Sequence, residues 1–223
     1  MITATSFDVK IPTEAATLDG TLTVPYGAPI LVLFAHGSGS SRFSPRNLFV
    51  AHHLNDVGIG TLLFDLLTGQ EEALDERTGR LRFDIGLLAK RLGDATDWVS
   101  REEGLNELAI GYFGASTGAG AALVAAAGRP EQIAAVVSRG GRPDLANGAL
   151  PQVTAPTLLI VGGEDPSVIE LNEDARERMR CEVRIEIIPG ATHLFEEAGA
   201  LDEVARLASD WFRSHSGVRE QFT

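Results

Sequence analysis

Residues 108–128, LAIGYFGASTGAGAALVAAAG, constrain the fold of this chain more than any other stretch. Leu108, Ala109, Ile110, Tyr112 and Phe113 form a short apolar run without helical period, which predicts a strand buried on both faces. Six of the nine residues 119–127 are alanine, the residue with the highest intrinsic helix propensity. Between them lies Gly114-Ala115-Ser116-Thr117-Gly118, a GxSxG pattern. A serine in so sharp a strand-to-helix turn has to hold a strained backbone, and only small neighbours let the two elements approach. Gly114, Gly118 and Gly120 supply that room. The turn predicts a Ser116 hydroxyl raised above the carboxyl ends of the strands and a Thr117 amide at a helix N-terminus, where it can donate to an anion. In a chain with 24 glycines the pattern alone is weak, so its meaning depends on what surrounds it.

Phe7, Val9 and Ile11 alternate with polar residues, as do Leu18, Leu22 and Val24 around Asp19-Gly20; this predicts an antiparallel strand pair at a sheet edge. Residues 30–35 are continuously apolar, the mark of a parallel strand covered on both faces, and His36-Gly37-Ser38-Gly39-Ser40-Ser41 follows. A loop there lies at the carboxyl edge of the sheet, where open α/β sheets bind ligands. Its amides are well placed to serve an oxyanion, with Ser38 as the candidate donor and Gly39 as the alternative. A phosphate loop fits less well, because neither GK[ST] nor GxGxxG is present. Arg42 and Arg46 precede a helix expected over 47–56, and their simplest role is pairing with surface acids. His52 and His53 are adjacent on that helix and point to different sides, which makes them poor joint metal ligands.

A strand is expected over 59–67, followed by an acidic connection with Glu71, Glu72, Asp75 and Glu76, read as a surface loop kept soluble by its charge. A helical pattern begins near Ile85, and further strands are expected over 132–138, 157–161 and 183–188, with a last helix over 200–213. Strands alternating with helices place the chain in the α/β class, with a mostly parallel sheet and helices on both faces. The length suits a single domain over 1–223. Residues 138–157 are too few for a separate lid domain, so a shallow, accessible pocket is expected.

Nineteen basic residues against 31 acidic ones give a net charge of −12 and a pI near 4.8. That balance argues against nucleic acid or an anionic membrane as partner and favours a small neutral or cationic ligand. Cys181 is the only cysteine, which excludes an intrachain disulfide and a cysteine-based zinc site; neither metal nor cofactor is expected. The first twenty residues lack the basic start and apolar core of a signal peptide, and no apolar run approaches the length of a membrane span. A cytoplasmic location is the expectation.

A serine hydroxyl is a weak nucleophile at neutral pH, and acyl transfer needs an imidazole to take its proton and a carboxylate to orient the imidazole. Asp165 in Gly162-Gly163-Glu164-Asp165-Pro166 and His193 in Gly190-Ala191-Thr192-His193 each follow a predicted strand. The chain order serine, acid, histidine is that of the α/β-hydrolase arrangement. Asp144 is the rival acid, but it lies six residues beyond Ser138, and its simplest role is a helix N-cap before Leu145. Asp165 is only three residues past Gly162, a short and stiff support. His36 is the next candidate base after His193.

With HGSGSSR at residues 36–42, GASTG at 114–118, GGEDP at 162–166 and GATH at 190–193, the chain resembles the α/β-hydrolase superfamily. More narrowly, over roughly 30–213 it resembles the small dienelactone-hydrolase-like enzymes. The resemblance implies an α/β-hydrolase fold and a metal-free serine esterase acting on small neutral carboxylic esters through an acyl-enzyme. Ser116 would attack, His193 would carry the proton, Asp165 would orient His193, and the Ser38 and Thr117 amides would hold the oxyanion. Dienelactone hydrolases proper use cysteine where this chain has Ser116, which implies ordinary esters rather than dienelactone. A lactonase or acyltransferase could use the same groups, and a catalytically silent ligand-binding fold is the reading from another class. Related hydrolases also occur joined to a phosphoribosyltransferase domain, of which nothing is present here.

Overall fold

In β3 (Ile30–Ala35) every residue is buried, and the period of two sends Leu31, Leu33 and Ala35 to one hydrophobic cluster and Ile30, Val32 and Phe34 to another. A strand covered on both faces belongs in the middle of a sheet with helices on either side. A computed structural model, which describes residues 4–217, has that arrangement. The other strands are β1 (Ala4–Pro12), β2 (Thr17–Pro25), β4 (Gly60–Phe64), β5 (Ala109–Ala115), β6 (Ile133–Arg139), β7 (Thr157–Gly162) and β8 (Val183–Ile188). They form one eight-stranded sheet in the order β1-β2-β4-β3-β5-β6-β7-β8. β1 pairs antiparallel with β2, and β2 antiparallel with β4. The remaining pairings are all parallel.

Among the described residues six α-helices accompany the sheet: α1 (Pro45–Asp56), α2 (Gly69–Thr78), α3 (Ile85–Val99), α4 (Thr117–Ala127), α5 (Pro166–Arg178) and α6 (Ala200–Ser214). Leu88, Leu92 and Val99 of α3 and Leu123 of α4 pack in the cluster with Leu31 and Leu33. Val50 and Leu54 of α1 and Val204, Ala208 and Phe212 of α6 pack in the cluster with Val32 and Phe34. Because β3 to β4 runs one way along the sheet and β4 through β8 runs the other, crossovers of one hand deliver the connecting helices to both sides. Tyr112, fully buried on β5, shares a 2.6 Å hydrogen bond with the Thr96 hydroxyl of α3. Burial pushes its phenol up to about 12.

Three elements depart from the sequence expectation by two residues or more. The strand expected over 59–67 ends at Phe64, because the next side chain, Asp65, turns to take the Arg42 backbone N–H at 2.7 Å. Helix α1 starts two residues early, with Pro45 in its first turn and the Ser44 hydroxyl capping the Asn47 amide. The acidic connection is helix α2. Its N-terminus is a reciprocal capping box: the Thr68 hydroxyl accepts from the Glu71 amide at 3.2 Å, and the Glu71 carboxylate accepts from the Thr68 amide at 2.7 Å. Apolar periodicity missed it because Asp75 is its only buried residue. Among the described residues no helix is long and apolar enough to cross a membrane.

Candidate active site

Ser116 joins β5 to α4 with φ 50° and ψ −121°, a conformation that costs a non-glycine residue roughly 1–3 kcal/mol and persists only where surroundings enforce it. The surroundings are a backbone clamp. The Ser116 amide donates to the Arg139 carbonyl at 3.2 Å, and the Ser116 carbonyl accepts from the Arg142 amide at 3.1 Å. The flanking glycines are steric necessities: a Cβ on Gly118 would lie 2.1 Å from the Ala35 carbonyl oxygen, and one on Gly114 would lie 2.4 Å from Ala119 Cα. The Ser116 side chain caps nothing on α4, so the hydroxyl has no structural duty at the helix end.

Asp165 occupies the cap position of α5 yet makes no capping bond. Its Oδ2 lies 2.7 Å from Nδ1 of His193 instead, with the carboxylate side chain 15% exposed and the imidazole 39% exposed. An aspartate ahead of a helix ordinarily caps it; here the loop after β8 brings a better partner. With Asp165 accepting at Nδ1, the proton-accepting nitrogen of a neutral His193 is Nε2. A Cβ on Gly140 would lie 3.5 Å from His193 Cε1, and Gly140 directly follows Arg139, the residue whose carbonyl holds the Ser116 amide. The imidazole and the elbow therefore share a neighbour. Asp144 is elsewhere engaged. Its two oxygens take Nε and Nη2 of Arg142 at 2.8 and 2.7 Å, and the 3-10 segment Pro143–Gln152 is capped at Arg142, so the expected N-cap role is not the one it has.

Thr117 opens α4, and its amide is among those that a helix leaves without an intrahelical partner. The Ser38 amide is already committed: it donates to the Thr117 hydroxyl at 2.8 Å. Spacing along the chain could not reveal this bond, which joins the Ser38 loop to the first residue of α4, 79 positions away. The loop carrying Ser38 is braced by His36, which is 7% exposed. His36 Nε2 accepts from the Leu66 amide at 3.1 Å and Nδ1 lies 3.0 Å from the Gly37 carbonyl. A ring that accepts at Nε2 and donates at Nδ1 is neutral. His36 is thus a brace in this arrangement rather than an exposed base.

Burial lowers the His36 pKa, and the Gly37 carbonyl and Asp65 oppose that shift only in part. A depressed folded value means that the unfolded chain takes up this proton first, near pH ~6.5. The stabilisation is therefore complete above that pH and is lost as pH falls towards the lower folded value. Urea unfolding of the wild type between neutral pH and about pH 5.5 is expected to show stability declining with acidity, and His36→Gln is expected to flatten that slope. An unchanged slope in the variant would assign the decline to other groups.

Beside the Ser38 loop lies a cavity of about 570 Å³, floored by Leu66, Leu67 and Leu88 and walled by Phe43, Glu72 and Arg82. Asp75 binds the Arg82 side chain and the Leu81 amide, which ties the end of α2 to the segment after it. The acids read from sequence as a soluble loop thus help enclose the cavity. Burial, followed by the neighbouring Asp65 and Glu76 charges, raises the Glu72 carboxyl. The signal available in the sequence was Thr68-x-x-Glu71, a capping box. Arg42 pairs with Asp65, and Arg46 pairs with Glu196 at 3.2 Å.

A mostly parallel sheet in this order, entered by a helix through a strained serine, with an acid and a histidine paired beyond later strands, is the α/β-hydrolase fold. Within it the chain belongs to the dienelactone hydrolase family, whose description matches residues 18–216. The crystal structure of a dienelactone hydrolase from Anabaena variabilis superposes with a TM-score of 0.94 at 59% identity, covering 95% of this chain and 98% of that one. An esterase of Pyrococcus furiosus shares the fold with a TM-score of 0.72 at 18% identity, covering 96% and 92% of the two chains. A Mycobacterium tuberculosis protein provisionally named a phosphoribosyl transferase is 53% identical over 208 residues. That match covers 93% of this chain and 46% of the relative, so the chain spans about half the length of the curated relatives it matches.

Proposed function

We propose that this hydrolase is a serine esterase cleaving small, neutral carboxylic esters through an acyl-enzyme, with Ser116 as nucleophile, His193 as base and Asp165 as the group that orients His193. The observation that carries the reading is the 2.7 Å bond between Asp165 and His193 in a chain whose β5–α4 turn holds Ser116 at positive φ. Ser116 Oγ attacks the acyl carbon as Nε2 takes its proton, the imidazolium returns that proton to the departing alcohol, and water repeats the sequence to release the acid. The Thr117 amide is the first oxyanion donor. For the Ser38 amide to be the second, the oxyanion has to compete with the Thr117 hydroxyl that now accepts from it. The relationship to an esterase from Pyrococcus furiosus supports ester chemistry as the activity of this chain as well.

A stoichiometric burst of p-nitrophenol from p-nitrophenyl acetate, abolished by a phosphonate that labels Ser116, is the direct test of an acyl-enzyme. No burst and no labelling would overturn the reading in favour of a silent binding fold. Short acyl chains are expected to be preferred. The cavity is modest and partly acidic, so a long chain would not realise the roughly 0.8 kcal/mol per methylene available on complete burial. kcat/KM is therefore expected to fall beyond butyrate in a series of p-nitrophenyl esters, and a continued rise through palmitate would refute the assignment.

A further inference from the structure

Arg139 ends β6 with its guanidinium on the face covered by α1 and α6, packed between Asn47 and Phe195. It is 8% exposed, and its Nε and Nη1 are buried with no hydrogen-bond partner. Nη2 reaches the Asn47 carbonyl oxygen Oδ1 only at 3.5 Å, and Cζ lies 6.0 Å from the Phe195 ring centre. Among the described residues no carboxylate pairs with it. Burial, and after it the charge of another cation, Arg46, pushes Arg139 down to about 10 and leaves it charged at neutral pH. Arg46 Nε is itself buried without a partner, while its Nη1 donates to Glu196 at 3.2 Å.

A buried, uncompensated cation beside a second cation is strongly unfavourable, and water could satisfy the N–H groups without neutralising the charge. The N-terminus of the twelve-residue α1, which contains Arg46 and Asn47 in its first turn, adds the positive end of the helix dipole to the same place. Every one of these features selects for negative charge. Unpartnered donors on two side chains suit an anion with several acceptor oxygens better than a single-atom halide.

We propose that Arg139 and Arg46, at the N-terminus of α1, bind a small oxyanion of the phosphate class, free or as the phosphate of a monoester. The cavity beside the Ser38 loop reaches Ser44 and Pro45 at the start of α1, but its lining includes none of Arg46, Asn47, Arg139 or Phe195. Phe195 and Glu196 follow His193 by two and three residues, and Phe195 holds φ 56°. A bound oxyanion compensates the buried guanidinium and fastens the start of α1 to the loop that carries His193.

The inference does not rest on the esterase reading, and binding tests it without substrate. Thermal unfolding of the full chain is followed against inorganic phosphate, with ionic strength held constant by chloride. The midpoint is expected to rise and saturate, as it does for a ligand that binds the folded state alone. Arg139→Met is expected to abolish the rise and to start from a higher midpoint, since the lone buried charge is gone. Arg46→Gln, a change at a partly exposed side chain that leaves the core intact, is expected to weaken the apparent affinity by about tenfold or more. Glycerol 3-phosphate in place of phosphate distinguishes the sources: tighter binding identifies a monoester as the ligand, and weaker binding identifies the free ion. Absence of a saturable rise in the wild type, or an equal rise in Arg46→Gln, overturns the proposal, as does a rise that chloride reproduces.

Discussion

Ser116→Ala is expected to lower turnover of p-nitrophenyl acetate by about 10⁴–10⁶-fold, the loss seen when a triad nucleophile is removed, with the unfolding free energy changed by no more than about 0.5 kcal/mol. The two halves of this expectation have different origins. Activity collapses because Ser116 is the only serine on the elbow, while the neighbouring Thr117 hydroxyl is engaged by the Ser38 amide. Stability survives because the Ser116 side chain caps nothing on α4, while the backbone bonds to Arg139 and Arg142 are indifferent to the side chain. Ser116→Gly sharpens the test. Glycine relieves the positive φ, so this variant is expected to be equally inactive yet more stable than Ser116→Ala. Near wild-type turnover in either variant would remove Ser116 from the mechanism.

Asp165→Asn is expected to cost about 10²–10⁴-fold in kcat, because the amide no longer holds His193 in the tautomer whose Nε2 is free to accept a proton. Asp144→Asn is expected to cost less than a few-fold. Both carboxylates follow neighbouring strands and look alike in the sequence, but they differ in what they touch. Asp165 gives its oxygen to His193 at 2.7 Å and leaves α5 uncapped, so its substitution removes an orienting contact and no helix cap. Asp144 is bound to the partly exposed Arg142 through two bonds, a pair of the kind worth about 0–1 kcal/mol. Measuring kcat and the unfolding midpoint of both variants on one ester separates the roles. If Asp144→Asn proved the more damaging, the orienting acid would be Asp144, with Ser116 and His193 unaffected.

The mostly parallel sheet is a consequence of features that were legible along the chain. Continuous apolar runs at residues 30–35 and 157–161 have to be covered on both faces, and alternation with helices leaves a parallel sheet as the way to do it. The elbow was legible for a related reason: glycine at 114 and 118 leaves a gap that only a close approach of strand and helix fills. Helix α2 was obscured because its fold depends on the capping of Thr68 by Glu71 and on the engagement of Asp75 with the following residues, neither of which produces an apolar period.

Chain order alone also placed Ser116, Asp165 and His193 beyond the ends of strands now seen as β5, β7 and β8, because a parallel sheet delivers each such loop to the same edge. It could not choose between Asp144 and Asp165 by contact, foresee that the Ser38 amide is taken by the Thr117 hydroxyl, or reveal that Arg139 is buried beside Arg46 without a counter-charge. Periodicity and turn chemistry are local, and they determine which elements form and which edge a loop reaches. Hydrogen bonds and uncompensated charges between residues 28 to 93 positions apart depend on how those elements pack, and only the tertiary structure decided them.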